Sequence, residues 1–209
     1  MKNRSLLLIL LITISACSPK LFKEKWTKEK APASFKARFE TTQGNFDIAA
    51  QRSLSPKAVD RLYQLIKNDF YTDIALYRVI TNFVVQFGIH NDSVINNEWE
   101  KYKIPDELVL SSNDSMTISF ARAGIESRTT QIFINLKDNE RLDKLTYSGV
   151  AGFPVVAKIT SGMETIHKFY ASYGPEPAKK QAYILREGNE YLRKEFPKLD
   201  YINSAYIIK

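Results

Sequence analysis

Apolar Phe35, Ala37 and Phe39 alternate with charged Lys36, Arg38 and Glu40, the period of a strand that buries one face. Gln43-Gly44-Asn45 supplies a turn, and Phe46 and Ile48 resume the alternation, so this stretch reads as a hairpin. Ser55-Pro56 then opens a helix, with a side-chain cap followed by proline at the first helical position. Its apolar stripe is Val59, Leu62, Leu65 and Ile66, and Asn68 ends it. Short strand-like runs follow at 76–80, 83–87, 117–121, 132–134 and 155–159. Residues 162–170 read as a second short helix with Ile166 and Phe169 or Tyr170 inward. A charged, helically periodic segment spans 174–198, with Gly188 weakening its middle and Pro197 stopping it. Residues 201–208 read as a closing strand. Many short strands, few helices and turn signals between them predict a mainly β fold with α, as a closed or nearly closed antiparallel barrel.

The N-terminus follows a different logic. Lys2 and Arg4 precede an apolar run from Leu6 to Ile14, interrupted by Thr13. A bilayer span needs roughly 20 apolar residues, so this shorter run reads as a secretion signal. It ends in Ile14-Ser15-Ala16-Cys17, which resembles the lipobox of bacterial lipoproteins. That resemblance implies diacylation of Cys17 and cleavage after Ala16. Each buried CH₂ contributes about 0.8 kcal/mol, so two or three acyl chains hold a domain on a membrane nearly permanently. The expected organisation is a signal at 1–16, a lipidated tether at 17–34 and one folded domain at 35–209, with a helical extension at 175–200. The expected place is the bacterial cell envelope, periplasmic or at the outer membrane.

Composition narrows the chemistry. With 44% hydrophobic and 12% aromatic residues, the 209-residue chain can bury a core, and 8 Gly and 8 Pro exclude a low-complexity chain. Cys17 is the sole cysteine, which excludes an intramolecular disulfide and a cysteine-based metal site. Part of the net charge of +7 sits at Lys20, Lys23, Lys25, Lys28 and Lys30, with Glu24 and Glu29 between them. Such a mixed stretch suits a solvated tether and can lie near anionic headgroups. The cations are not interleaved with base-stacking aromatics, which argues against a nucleic-acid partner. His90 and His167 lie far apart, outside any metal or triad pattern, and read as surface or satisfied structural residues. No phosphate loop, nucleophile elbow or active cysteine is present. An enzyme built from this chain is expected to work without metal, cofactor or covalent nucleophile.

One stretch departs from ordinary core composition: Leu76-Tyr77-Arg78-Val79-Ile80-Thr81-Asn82-Phe83-Val84-Val85-Gln86-Phe87-Gly88. An arginine inside an apolar strand must be paired or face a cleft. After the Thr81-Asn82 turn, Phe83 and Gln86 can return beside Arg78, joining a fixed cation, an aromatic wall and an amide. The stretch resembles the cyclophilin signature, Phe-His-Arg-Val-Ile-x-x-Phe-x-x-Gln-x-Gly. Further blocks follow in family order: Ile118-Ser119-Phe120-Ala121-Arg122-Ala123-Gly124, Thr130-Gln131-Ile132-Phe133-Ile134, Arg141-Leu142-Asp143 and Phe153-Pro154-Val155-Val156-Ala157-Lys158-Ile159. Together they span most of the chain after the signal. The segment from Glu187 to Ile202 looks like an extension in a bacterial branch of the family.

The resemblance implies a closed antiparallel eight-stranded barrel capped by two helices, acting on proline-containing polypeptides as a peptidyl-prolyl cis-trans isomerase. It makes Arg78 the catalytic arginine, with Phe83 and Gln86 beside it. Phe83, Val84, Phe133, Leu142 and Phe153 would line the proline pocket, while Gln86, Ala121 and Arg122 would hold the flanking backbone. Departures from the family pattern also carry expectations. Arg141 in place of tryptophan predicts weak binding of cyclosporin-type inhibitors. Arg122 in place of asparagine bears on substrate preference, Phe153 stands where eukaryotic members have histidine, and Phe87 in place of glycine implies a narrower cleft. A non-catalytic chaperone or scaffold module and a barrel carrying a small apolar ligand in an internal cavity are the competing readings. A monomer is the default expectation.

Overall fold

The computed structural model describes residues 21–209. The signal expected at 1–16 and the lipidation expected at Cys17 therefore lie outside the described residues. From residue 21, the stretch expected to be a solvated tether differs from that reading: it is packed onto the domain. A 3₁₀ turn at Glu24–Lys28 buries Trp26, and Phe22 sits edge-on to Trp99 at 5.2 Å. Ala31 N–H donates to the Asp60 carboxylate at 2.8 Å, and Gln64 donates to the Glu29 carbonyl at 2.6 Å. The lysines between these aromatics face water, so the charge conceals a few apolar anchors.

Strands β1 (Ser34–Thr41) and β2 (Gly44–Gln51) form the first hairpin. Their alternation buries Ala37, Phe39, Phe46 and Ile48, and the directly opposed Phe39 and Phe46 rings stack at 4.9 Å. On the outer face Arg38 pairs with Asp47 at 2.8 Å. Helix α1 (Pro56–Lys67) buries the stripe of Val59, Leu62, Leu65 and Ile66. Its first turn is capped by a remote side chain rather than by Ser55: the Glu107 carboxylate accepts from Lys57 N–H at 2.8 Å and Ala58 N–H at 3.1 Å.

The short strands β3 (Ile74–Ala75), β4 (Arg78–Ile80) and β5 (Val84–Phe87) precede α2 (Ser93–Glu100), a helix the hydrophobic pattern does not announce. Then come β6 (Thr117–Phe120), β7 (Ile132–Asn135), the single turn α3 (Arg141–Lys144), and a small hairpin of β8 (Thr146–Tyr147) and β9 (Val150–Ala151). Strand β10 (Val155–Ser161) leads into α4 (Met163–Ile166), one turn where a short helix over 162–170 was expected. Ile166 and Phe169 are nonetheless buried. The extension forms α5 (Gln181–Glu195), kinked at Gly188, and β11 (Tyr201–Ile208) closes the chain. Gly188 has φ 60°, and any Cβ there would strike the Asn91 backbone.

Nine strands form one curled sheet in the order β3-β11-β1-β2-β10-β6-β7-β5-β4. The closed eight-stranded barrel is thus corrected to an open nine-stranded sheet. The physical reason lies between its edges. β3 pairs with β11 and β4 pairs with β5, while Leu76 and Tyr77 carry the chain from one edge strand to the other. The two short strands change partners within a few residues, so the ends meet through the backbone and not through a ladder. The inner face is filled by side chains that include Phe39, Phe46, Phe87, Phe120 and Ile134, with α1 packed against it.

Candidate active site

Register and pleat together build a cleft on the outer face of β4, β5 and β7. Arg78 lies opposite Gln86, and Gln86 lies opposite Phe133. Alternation sends Val85, Phe87, Ile132 and Ile134 inward, leaving Val84, Gln86 and Phe133 on the other side. Phe87 therefore belongs to the inner core, 5.8 Å from the Tyr71 ring, and does not narrow the cleft. Val84, Phe133 and Leu142 form an apolar floor, with Phe83, Ala121 and Phe153 packed against it. Phe133 and Phe153 meet edge-on at 5.7 Å.

Above this floor, Arg78 Nη1 donates to Gln86 Oε1 at 2.8 Å. Gln86 Nε2 donates to Gln131 Oε1 at 3.2 Å, and the same oxygen accepts from Tyr77 OH at 2.5 Å. Burial pushes the Tyr77 phenol well above its ordinary range and outweighs the opposing pull of Arg78, so the hydroxyl stays a donor. The Arg78 guanidinium stands 5.7 Å from the Phe83 ring centre. Among the described residues it pairs with no carboxylate, and its fork faces the cleft.

Buried asparagines pin the two aromatic walls by their backbones. Asn113 Nδ2 donates to the Phe153 carbonyl at 2.9 Å and to Asp143 Oδ1 at 2.8 Å. Asn139 Nδ2 donates to the Phe83 carbonyl at 3.0 Å and to Asn135 Oδ1 at 2.8 Å. Arg122 stacks 4.3 Å from the Phe153 ring and donates to the Val150 carbonyl at 2.9 Å. Burial lowers its pKa, with Asp106 opposing the shift.

The structure brings Arg78, Phe83, Val84, Gln86, Ala121, Arg122, Phe133, Leu142 and Phe153 to one cleft of about 540 Å³. Sequence reasoning missed Gln131 and Tyr147 in the same lining, and Ala178 and Gln181 from the C-terminal extension. Gln131 had a signal, as a long amide immediately before the apolar run Ile132-Phe133-Ile134. His90 is buried in a structural position, its Nδ1 accepting from Asp92 N–H at 2.9 Å.

The family model described as "Cyclophilin type peptidyl-prolyl cis-trans isomerase/CLD" matches residues 36–188. The chain is similar to a peptidyl-prolyl cis-trans isomerase of Acinetobacter baylyi, at 29% identity over 66% of this chain and 73% of that protein. It is also similar to peptidyl-prolyl cis-trans isomerase A of Dickeya dadantii, at 30% identity over 61% of this chain and 67% of that protein. Some relatives are far longer: the match spans 19% of peptidyl-prolyl cis-trans isomerase-like 2 of Gibberella zeae. Among solved structures, a Cryptosporidium parvum cyclophilin type peptidyl-prolyl cis-trans isomerase covers 84% of this chain and 98% of its own, with TM-score 0.56 and 16% identity. The same parasite protein in the presence of the dipeptide Ala-Pro gives TM-score 0.56 at 17% identity, covering 83% of this chain and 99% of its own. At that identity the likeness speaks for the fold alone.

Proposed function

Because the chain belongs to the cyclophilin-type peptidyl-prolyl cis-trans isomerase family, we propose that this cleft rotates X-Pro bonds, with Arg78 as its catalytic cation, in proteins exported to or displayed on a bacterial envelope. One observation carries the catalytic part: a guanidinium that, among the described residues, is hydrogen-bonded to a neutral amide and to no carboxylate stands over the aromatic rim of an apolar pocket.

The chemistry follows from amide physics. An imide resists rotation by about 18–20 kcal/mol because nitrogen shares its lone pair with the carbonyl. Uncatalysed X-Pro exchange therefore takes tens to hundreds of seconds. Twisting makes the prolyl nitrogen pyramidal and basic. A cationic donor aimed at it favours the twisted state over both planar ones. The floor of Val84, Phe133 and Leu142 takes the proline ring and excludes water, which strengthens that contact. Gln86, Ala121 and Arg122 hold the flanking backbone. Lowering the barrier by about 7 kcal/mol gives roughly five decades in rate.

The envelope half of the proposal rests on Ile14-Ser15-Ala16-Cys17, whose likeness to a lipobox supports a lipid-anchored member of the family. A cis-to-trans peptide assay tests the activity, and acceleration that saturates with peptide is the expected result. Labelling with a fatty acid in a bacterial host tests the anchor: incorporation is expected for the natural chain and lost in Cys17→Ser. No acceleration refutes the isomerase reading, and equal labelling of both chains refutes the anchor.

A further inference from the structure

We propose that this cleft selects X-Pro bonds bearing a carboxylate side chain on a residue next to the proline, with Arg141 as the main selecting cation. The inference rests on the isomerase reading of the same site and deepens it by naming a substrate class.

Three guanidinium groups line the cleft, Arg78, Arg122 and Arg141, against a single carboxylate, Glu100. Glu100 is already engaged, its Oε1 accepting from Thr129 Oγ1 at 2.7 Å. The arginine–carboxylate pairs among the described residues use Arg38, Arg52, Arg128, Arg186 and Arg193, and none of the three in the cleft. Glu100 in the lining and Asp106 near Arg122 offset part of this charge, which leaves the cleft net positive.

The cations are also placed. Arg141 and Arg78 stand 5.0 Å and 5.7 Å from the Phe83 ring centre, and Arg122 stands 4.3 Å from that of Phe153. These rings flank the apolar floor, so a proline seated there has a guanidinium on either shoulder. Their free hydrogen-bonding capacity differs. Arg78 gives one donor to Gln86, and Arg122 gives one to Val150 while its Nε is buried without a partner. The Arg141 side chain makes no hydrogen bond among the described residues, so its whole fork is open to a ligand. A planar fork held over an aromatic face is well matched to a carboxylate. On its short helix the Asp143 carboxylate is turned away into bonds with Ser112 and Asn113, and Lys144 adds positive charge.

The experiment uses two peptide trios, with Glu, Gln or Lys directly before the proline in one and directly after it in the other. Binding is read by NMR titration and isomerisation by exchange spectroscopy on the same samples. Exposed charge pairs are worth little individually, so the Glu peptide is expected to bind about fivefold tighter than Gln in at least one trio, with Lys weakest. That gap should close as salt rises from about 0.1 M to about 1 M, where the Debye length falls from about 10 Å to about 3 Å. Arg141→Gln should bring the Glu/Gln ratio toward one, and Arg141→Lys, which keeps the charge but not the planar fork, should retain part of it. Equal affinities in both trios, a preference for Lys, or a ratio unaffected by Arg141→Gln would overturn the inference. Uniform acceleration of all six peptides would sink the charge selection and leave the isomerase reading standing. Selective binding without acceleration would do the reverse.

Discussion

Replacing Tyr77 by phenylalanine removes one oxygen from behind the amide pair that holds Arg78. In the native protein the Tyr77 hydroxyl and Gln86 Nε2 both donate to Gln131 Oε1, at 2.5 Å and 3.2 Å. The variant keeps only the longer bond. Losing one buried hydrogen bond costs about 0.5–1.5 kcal/mol, and for a domain of this size that lowers Tm by about 2–4 °C per kcal/mol. If the freed Gln131 lets Gln86 and Arg78 wander, about 1 kcal/mol of transition-state contact is lost as well, roughly fivefold in kcat/KM. Tyr71→Phe is the control. Its hydroxyl donates to the Thr130 carbonyl at 2.9 Å within the core, outside the amide pair. Both variants are therefore expected to lose similar Tm in a thermal melt, while only Tyr77→Phe loses turnover in a proline-peptide assay. Equal kcat/KM for the two variants would show that the Tyr77 hydroxyl serves stability alone.

Other consequences are open to direct measurement. Burial raises the Asp143 carboxyl, but its bonds from Ser112 and Asn113 outweigh this and hold it below the usual range. A depressed carboxylate contributes stability above its unfolded pKa of about 3.9 that is lost as pH falls through the folded value, so Asp143→Asn should flatten the fall in denaturant stability below about pH 4. Trp26→Ala should cost about 3–5 kcal/mol in chemical denaturation, as expected for a large core ring, and a value near zero would mean that the 21–33 segment is detached in solution. At Gly88, φ is +112° and a Cβ would lie 2.5 Å from the Thr130 carbonyl oxygen. Gly88→Ala should therefore lower stability by more than about 1 kcal/mol, and an unchanged Tm would contradict that crowding.

Much of this was legible in the sequence wherever one residue's type settles its environment. Alternation gave the inner faces of β1 and β2, and the polar Arg78 and Gln86 inside apolar strands marked the cleft before any register was known. What stayed hidden depends on partners remote in the chain. The cap of α1 comes from Glu107, some fifty residues on, and the contact between Tyr77 and Gln131 needs the registers of two ladders. Helix α2 is short, and its cues are only the Asp92 cap and the pair Ile95 and Trp99 one turn apart. Phe22 and Trp26 were masked by the lysines around them. Whether the sheet closes turns on a change of hydrogen-bond partner at Leu76 and Tyr77, to which hydropathy is blind.

The role of Arg78 is tested most directly by proline-limited refolding of a client protein with the natural chain, Arg78→Ala and Arg78→Lys, each checked for a native thermal melt. The slow phase should be accelerated by the natural chain, slightly by Arg78→Lys and hardly at all by Arg78→Ala, a loss of at least about tenfold for removing one aimed donor. Full acceleration by folded Arg78→Ala would contradict the account, since the twisted imide would then be stabilised without the cation poised over Phe83.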